Sequence, residues 1–333
     1  MSTDKEQQLL DIADAAVNSA IKQGANVAEA VLGSGSHLSV KIRKGAPELV
    51  EEAGSRGLGL RVIVDGRVAL VSTNDLSKAG LETIVTKAIE LAKLSQKDEF
   101  AGPPDPSLLS APTEHKDLKL FDPKVPEVDG AYALAQAGIA EAAALAADPR
   151  ITNSDGANYS RTDGQKVIVT SGGFRGATRG TYASLSVHPI ADDEDGKKRS
   201  GYYWSANRFL SKLEPAEAVG KEAAKRTLAK LGAKKVASAE VPVIFDPDVG
   251  RSLLGMFASV INGGSIWRKS SYLMDRLGTQ VASNLVSIVD DPLIEEGPGS
   301  RAFDGEGLLS RKNSVVENGV LKPSSLTPTV PRN

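Results

Sequence analysis

The densest group of residues that could carry out chemistry lies late in the sequence. It consists of Asp290, Asp291, Asp304 and Glu306, in a stretch rich in glycine. Calcium and magnesium are bound by several converging oxygen atoms, yet the spacing here does not match the Asp-x-Asp-x-Asp-Gly pattern of a calcium loop. Carboxylates in such a stretch also cap backbone N–H groups in turns. We favour turn formation over a metal site, and keep Arg268 and these carboxylates as candidate residues of a cleft.

Other nucleophiles and metal ligands are scarce. The chain has no cysteine, which excludes disulfides, thiolate catalysis and cysteine-bound metals. Its three histidines, His37, His115 and His188, are far apart in sequence, so a compact histidine metal site is not expected. No Gly-x-Ser-x-Gly nucleophile motif is present. The glycine-rich segments lack the lysine that a phosphate-binding loop requires.

One stretch is bounded like a helix but contains no residue that could carry out chemistry. Asp246 and Pro247 are typical of a helix start, and Asn262-Gly263-Gly264 is typical of a helix end. Within these boundaries lies most of the segment LLGMFASVINGGSIWRK (253–269). Its residues inside the helix are mostly apolar or small. Their apolar side chains surround the helix axis, which predicts a buried core helix; they are Leu253, Leu254, Phe257, Val260 and Ile261.

The elements around these residues predict an α+β fold. An amphipathic helix up to Gly24 precedes a series of short strands with a hairpin turn at Asp65-Gly66, and a second helix follows, capped by Asn74. Residues 1–97 are therefore predicted to form an N-terminal helix–β-meander–helix domain.

The rest of the chain is predicted to form a linker and a second domain. Residues 98–129 are rich in proline and lack periodicity, which indicates a surface linker. Residues 130–333 are predicted to form a larger β-rich domain with packed helices. Its predicted features include a strand at EVPVIFD (240–246) and hairpin turns at Asp163-Gly164 and Asn318-Gly319.

The composition excludes several classes of protein. Of 333 residues, 41% are hydrophobic and 25% are charged, and 40 Lys and Arg nearly balance 42 Asp and Glu. No global field therefore favours nucleic acid or an anionic membrane. The N-terminal sequence is polar, and no run of about 18 apolar residues occurs. We expect a cytoplasmic protein that binds neither membrane nor nucleic acid directly.

Three segments, in order along the chain, resemble the TldD/PmbA family. RGLGLRVIVDGRVALVSTNDLS (56–77) is similar to the N-terminal signature of that family, with its Arg-Gly pair, glycine-flanked strand and Asp-Gly hairpin. The second segment that resembles the family is SYLMDRLGTQVASNLVSIVDDP (271–292). SRAFDGEGLLSRKNSVVENGVLK (300–322) is similar to the Asp-x-Glu-Gly segment and the Asn-Gly hairpin of the family. The resemblance spans nearly the whole chain.

The resemblance gives the apolar helix a specific meaning. TldD-type members have a His-Glu-x-x-x-His helix that binds zinc, and its Glu is the expected general base of peptide hydrolysis. That motif falls without a gap on this helix, where the histidine positions are Gly255 and Val260 and the glutamate position is Met256. The chain therefore resembles the PmbA (TldE) type, which lacks the zinc motif. The resemblance implies no cofactor in this chain, with zinc expected only in a TldD-like partner.

The resemblance implies a subunit that is inactive as a peptidase on its own. The expected function is that of a non-catalytic TldE/PmbA-like subunit in a cytoplasmic TldD–TldE-type metallopeptidase complex that acts on flexible or leader peptides. A stand-alone homodimer that binds peptides is the alternative, and an enzyme that uses the carboxylates near Asp290 and Asp304 is the third hypothesis. The family is also tied by name to modulation of DNA gyrase, which we expect to be indirect.

Relatives usually extend about 100 residues further. The segment KPSSLTPTVPRN (322–333) diverges from the expected continuation, so we expect a chain that is short at its C-terminus.

Overall fold

The computed structural model describes residues 4–194 and 196–323. The chain forms two compact units. The large unit comprises residues 1–234 and 295–309, and the small unit comprises residues 235–294 and 310–333.

A long antiparallel sheet is the frame of the large unit. Its order is β3-β2-β1-β4-β5-β6, and β7 also pairs with β5. The strands are β1 (Val27–Arg43), β2 (Ala46–Val64), β3 (Arg67–Thr73), β4 (Ile151–Thr170), β5 (Arg175–Asp192), β6 (Lys198–Ser200) and β7 (Tyr203–Asn207).

Four helices pack on one face of this sheet, in two pairs. They are α1 (Asp4–Lys22), α2 (Lys78–Leu94), α3 (Gly130–Ala146) and α4 (Ala216–Leu228). On β1, the buried residues Ala28, Ala30 and Leu32 pack with α1 and α2. Leu38, Val40 and Ile42 pack with α3 and α4. Because all of these positions are even-numbered and a strand alternates its faces with period two, both helix pairs cover the same face, at opposite ends of the strands.

The sequence predicted some of these strands in pieces. The prediction of short strands is wrong for β1, because residues 27–43 form one long strand that pairs with β2 and β4. The predicted hairpin turn at Asp163-Gly164 is also wrong, because both residues lie within β4 and pair with β5. Glycine and polar residues resemble turn signals here. They occupy instead the middle of long strands, between the two ends that helices cover.

The hairpin between β2 and β3 agrees with the sequence. Asp65 (φ 49°) and Gly66 (φ 76°) have positive φ, as a two-residue hairpin turn with right-handed strand twist requires. The helix cap of α2 differs from the prediction. Ser77, rather than Asn74, accepts the hydrogen bond from the Gly80 N–H.

The predicted surface linker is partly built into the large unit. Residues 98–129 contain short 3-10 turns at Pro106–Leu108 and Pro112–Glu114. Leu118, Val125 and Val128 are buried. The segment has no helix or strand that would give it a hydrophobic period. Its apolar residues nevertheless contribute to the core of the large unit.

The small unit has its own core. It contains α5 (Pro247–Ile261), α6 (Gly263–Trp267), β8 (Ile288–Asp290), β9 (Asn313–Glu317) and β10 (Val320–Leu321). The strands form a sheet in the order β10-β9-β8. The predicted Asn318-Gly319 hairpin is confirmed by φ angles of 47° and 82°. The predicted strand EVPVIFD (240–246) is wrong, because residues 240–246 have no regular structure.

The α+β fold class is confirmed, with a helix and strands at its N-terminal end. The observed units differ from the predicted domains 1–97 and 130–333, because β1 pairs with β4 in one sheet. Within the described ranges, no helix is both long and apolar enough to cross a bilayer. Of the divergent C-terminal segment, residues 324–333 lie outside the described residues.

Candidate functional site

The helix α5 forms as its boundary residues predict. The Asp246 side chain accepts a hydrogen bond from the Asp248 N–H (2.9 Å), and Pro247 is the first helical residue. The Asn262 side chain ends α5 and accepts from the Gly264 N–H (2.9 Å), which starts α6. Asp246 and Asn262 therefore each satisfy a backbone donor that the start of a helix leaves free, in α5 and in α6 respectively.

The prediction of a buried core helix is wrong for most of α5. Leu253 and Leu254 are 46% and 52% exposed, and of the α5 residues only Ile261 is buried. Hydrophobic periodicity identifies the apolar face of a helix but not what covers it. The small unit has a core of few residues, which covers the end of α5 around Val260 and Ile261.

The three residues that the resemblance matches to the zinc motif lie on this helix and provide no suitable donor. Gly255 has no side chain, and a Cβ built there would have no neighbour within 4 Å. Met256 is 67% exposed, and its thioether cannot accept a proton as a general base. Val260 is an apolar residue that packs against the core of the small unit. The residues on α5 therefore do not fit a zinc ion.

The predicted carboxylates are divided between the units. Asp290 and Asp291 belong to the small unit, whereas Asp304 and Glu306 belong to the large unit. Asp291 Oδ1 accepts from the Leu293 N–H (3.1 Å), and Lys312 Nζ lies 3.3 Å from Asp291 Oδ2. These contacts are those of a turn carboxylate with a neighbouring cation.

Asp304 stabilises a turn within the large unit. Its Oδ1 accepts from the backbone N–H groups of Glu306 (2.9 Å) and Leu308 (3.0 Å). Arg268, the remaining candidate, is exposed at the C-terminal end of α6. Over residues 4–194 and 196–323, no group of three or more His, Asp or Glu residues is arranged to hold a metal ion.

The large unit contains a cleft where its two helix pairs leave the sheet uncovered. Residues that pair across β2, β1, β4 and β5 change from apolar to polar midway along the strands. The apolar row under α1 and α2 is Leu58, Leu32, Val167 and Ala177. The next row on the same face is Arg56, Ser34, Gln165 and Arg179.

We call this space the central cleft and define it by that polar row, by Leu120 and by residues 300–305. Its volume is about 710 Å³, and all of its lining residues belong to the large unit. Ligand sites are commonly clefts of this size with a few convergent polar groups. The cleft is therefore a candidate binding site, and Asp304 is the one predicted residue that lines it.

A buried arginine holds the sheet together beside the cleft. Arg161 is 5% exposed and donates to Glu52 Oε1 (2.9 Å), to the Ser36 hydroxyl and to the Val128 carbonyl (3.2 Å). Its Nη1 also lies 3.5 Å from Asp163 Oδ1. Because its donors meet acceptors on several strands, the guanidinium is satisfied without a ligand.

A second arginine fixes the wall of the cleft. Arg208 donates to the carbonyls of Gly297 (3.1 Å) and Pro298 (2.9 Å). Burial lowers the pKa of Arg208. Its hydrogen bonds tie the segment 295–309 to the sheet, so that this segment belongs to the large unit despite its position in the sequence.

Aromatic packing supports the same wall. The Phe303 ring is 4.6 Å from the His115 ring and 5.0 Å from the Phe174 ring, centroid to centroid. The Ser110 hydroxyl lies 2.9 Å from His115 Nε2. Burial lowers the pKa of His115, and Glu114 opposes this effect. His115 is thus a structural residue at the back of the wall.

Sequence reasoning missed the polar row. Its residues come from four strands, and no local motif joins them. The available signal was the alternation of each strand, in which Arg56 and Arg179 continue the phase of apolar positions such as Leu58 and Ala177. Using that signal requires the pairing register, which the sequence alone did not provide.

The comparisons with known proteins agree with the segments identified in the sequence. Models of three domains of PmbA/TldA metallopeptidases match the chain in order: domain 1 at residues 28–92, the central domain at 122–231 and the C-terminal domain at 238–326. The metalloprotease PmbA homologue of Haemophilus influenzae is 36% identical over 97% of this chain. The chain spans 70% of the length of that relative.

Solved structures share the fold. A candidate modulator of DNA gyrase from Bacteroides thetaiotaomicron superposes with a TM-score of 0.91 and 30% identity, over 99% of this chain and 76% of its own. TldE from Thermococcus kodakarensis superposes with a TM-score of 0.76 over 93% of this chain and 69% of its own. At 16% identity the latter shows the fold alone. Together with the ordered domain matches, these relatives show that the chain belongs to the TldD/PmbA family of metallopeptidase-related proteins.

Proposed function

We propose that this chain is a non-catalytic PmbA/TldE-like subunit of a metallopeptidase complex, which acts with a TldD-like catalytic partner on flexible or leader peptides. The observation that supports the proposal is the residue set of α5. Gly255, Met256 and Val260 occupy the positions of the zinc ligands and the general base in the family motif, and none of them can ligate zinc or abstract a proton. Zinc then belongs to the partner.

In this proposal the chain binds the peptide substrate, and the partner subunit carries out hydrolysis. The central cleft of the large unit is where we expect peptide contacts, because it is a concave surface with polar side chains from four strands. Direct contact with nucleic acid is not part of the proposal, since 40 basic residues are balanced by 42 acidic residues. Action in the cytoplasm is part of it, in keeping with a chain that has no cysteine.

The test combines metal analysis with peptidase assays on the purified chain, alone and after capture from its native extract. Alone, the chain is expected to contain far less than one zinc per molecule and to leave an unstructured peptide intact. The captured complex is expected to contain a TldD-like chain and zinc, and to lose activity with a chelator. Chelator-sensitive hydrolysis by the chain alone would contradict the proposal, and a stable self-dimer without a partner would favour the homodimeric alternative.

Substitutions on α5 test the same point within the complex. Met256→Ala and Val260→Ala are expected to leave the hydrolysis rate of the complex within about twofold of the wild type, since a lost catalytic base costs about 10²-fold or more. Circular dichroism of each variant checks that the small unit still folds. A hundredfold loss of rate with an intact complex would show that α5 takes part in the chemistry.

A further inference from the structure

The two ends of the polar row in the central cleft are the arginines Arg56 and Arg179. Arg56 and Arg179 are both exposed side chains, and Arg301 in the wall is exposed as well. Among the described residues, no ion pair involves any of the three. Cations that converge on a concave surface without partners attract an anion.

The acidic residues of the cleft do not neutralise these arginines. Asp163 accepts from the Ser36 hydroxyl and lies beside Arg161. Asp304 accepts two backbone N–H groups. Outside the lining residues, Asp75 has a pKa lowered mainly by its hydrogen bonds with Ser77, and the charge of Arg56 makes the smallest contribution. Each carboxylate is therefore engaged elsewhere.

One of the two arginines, Arg179, is also held in place. The Arg179 guanidinium lies over the Phe121 ring, 3.2 Å from its centroid, a stacking arrangement that fixes its plane. Between the arginines, Ser34 and Gln165 provide a hydroxyl and an amide, and Gln165 Nε2 donates to Glu6 Oε2 of α1 (3.3 Å). The row thus has polar side chains at its centre and a cation at each end.

The spacing defines what fits. Arg56 and Arg179 are three strand positions apart in one row, which is about 14 Å at the usual distance between strands. An extended peptide covers that length in about four residues, and residues i and i+4 of such a peptide project to the same side. A carboxylate pair at i and i+4 therefore matches the two guanidiniums.

We infer that the central cleft binds an extended acidic peptide segment that crosses the strands, with carboxylates four residues apart held by Arg56 and Arg179. Arg301 faces the same space and adds to the positive field. Recognition is by side chains, because a peptide that crosses the strands cannot join the sheet through its backbone. The inference deepens the proposed function, since it assumes that the chain handles peptides and specifies their charge.

The experiment measures binding of short labelled peptides to the purified full chain by fluorescence anisotropy. The probe has two glutamates separated by three alanines, and its controls replace the glutamates with glutamine or place them two residues apart. We expect the dissociation constant to rise at least about tenfold for each control, since each lost charge-assisted contact is worth that much. Equal binding of the glutamine peptide, or no binding of any peptide, would overturn the inference.

Matched variants locate the site. Arg56→Gln and Arg179→Gln are each expected to weaken binding of the glutamate peptide at least about tenfold. Lys87→Gln is the control, because Lys87 is an exposed cation on α2 of the large unit and is not among the residues that line the central cleft. An equal loss in the Lys87 variant would show nonspecific charge attraction and contradict the inference. Should Arg179→Gln fail to fold, the spacing series on the wild-type chain and Arg56→Gln decide the matter.

Inorganic phosphate separates a peptide site from a general anion site. Millimolar phosphate is expected to displace the peptide only as far as sodium chloride of equal ionic strength does. Specific displacement by phosphate would assign the arginines to a small anion and overturn the peptide assignment. Because these measurements need neither zinc nor a partner chain, their failure is distinct from failure of the proposed function.

Discussion

At the scale of single residues, Glu141 is a buried carboxylate that binds backbone instead of substrate. It lies on α3, is 1% exposed, and accepts from the N–H groups of Lys44 and Gly45 at 2.9 Å each. These two residues form the turn between β1 and β2, with φ of 52° and 76°. One side chain therefore fastens the tip of a long hairpin to a helix that follows it by about a hundred residues.

Removing this carboxylate is expected to destabilise the large unit. Glu141→Ala leaves two backbone donors without their partner, which should lower the free energy of unfolding by about 2–4 kcal/mol. Glu141→Gln keeps one good acceptor and should lose roughly half as much. Urea denaturation measures both, with Glu90→Ala on the exposed side of α2 as the control, expected to change stability by less than about 0.5 kcal/mol. A loss for Glu141→Ala no larger than that of the control would contradict this role.

His115 gives the large unit a pH dependence of definite sign. Burial lowers its pKa below the 6.5 of an unfolded chain, so the unfolded state takes up the proton first as the pH falls. The contribution of His115 is fully present above pH 6.5 and is lost progressively below it, until the lowered pKa of the folded state is reached. His188, whose pKa is also lowered by burial, acts in the same direction.

The variant His115→Gln isolates this contribution. The difference in unfolding free energy between pH 7.5 and pH 5.5 should be smaller in the variant than in the wild type, because glutamine does not titrate. The measurement is denaturant unfolding at both values of pH. An unchanged difference would show that His115 titrates alike in the folded and unfolded chains.

At the scale of elements, two glycines in helices should respond oppositely to the same substitution. Gly220 of α4 faces α3, where a Cβ would lie 2.2 Å from the Ala140 carbonyl oxygen and 2.9 Å from the Ala143 Cβ. Gly255 of α5 has no atom within 4 Å of such a Cβ. Gly220 is required for the close packing of α3 and α4. Gly255 has no such role, and it increases the conformational entropy that the unfolded chain loses when α5 forms.

Gly220→Ala is therefore expected to destabilise the large unit by about 1–3 kcal/mol, and Gly255→Ala to stabilise α5 by about 0.5–1 kcal/mol. Hydrogen exchange of the α4 and α5 amides, read by mass spectrometry, measures both in one experiment. Exchange should accelerate in α4 for the first variant and slow in α5 for the second. Slower exchange of α4 in Gly220→Ala would mean that the helices can separate at no cost.

An element could be predicted from the sequence where its signal acts on residues close by in the chain. Asp246-Pro247, Asp65-Gly66 and Asn318-Gly319 act through backbone groups a few residues away, and the structure has a helix start and two hairpins there. Asp163-Gly164 looks the same locally but lies within β4. Its conformation depends on pairing with β1 and β5, which is set by residues far away in the sequence.

The same distinction between local and distant signals applies to the candidate functional residues. The positions on α5 are assigned by resemblance within one contiguous segment, and that segment does form a helix. The central cleft could not be predicted in this way, since Arg56 and Arg179 share a row only after β1 pairs with β2 and β4. Arg56 stands in the Arg-Gly pair of the first family segment, but nothing in that segment places it in a row with Arg179.

At the scale of the whole molecule, strands within residues 27–73 and strands within residues 151–207 share one sheet. β1 pairs with β4 along residues 29–42. Leu38, Val40 and Ile42 pack against α3, α4 and β4 and are nearly inaccessible to solvent. Exposing three such side chains costs roughly 5–9 kcal/mol, which is comparable to the total stability of a typical domain. The N-terminal part therefore depends on the rest of the large unit.

This dependence predicts that residues 1–97 do not form a folded monomer when expressed alone, although the full chain should survive a cut in the same region. A protease site inserted between Gly102 and Pro103, where a Cβ on Gly102 would have no neighbour within 4 Å, allows that cut in the folded protein. The two pieces should elute together in gel filtration and separate only in denaturant, because the β1–β4 pairing remains intact. The fragment 1–97 should aggregate or give the collapsed amide dispersion of an unfolded chain in NMR spectra. A well-dispersed, monomeric fragment, or pieces that separate in native buffer, would instead support the independent N-terminal domain that the local sequence pattern predicts.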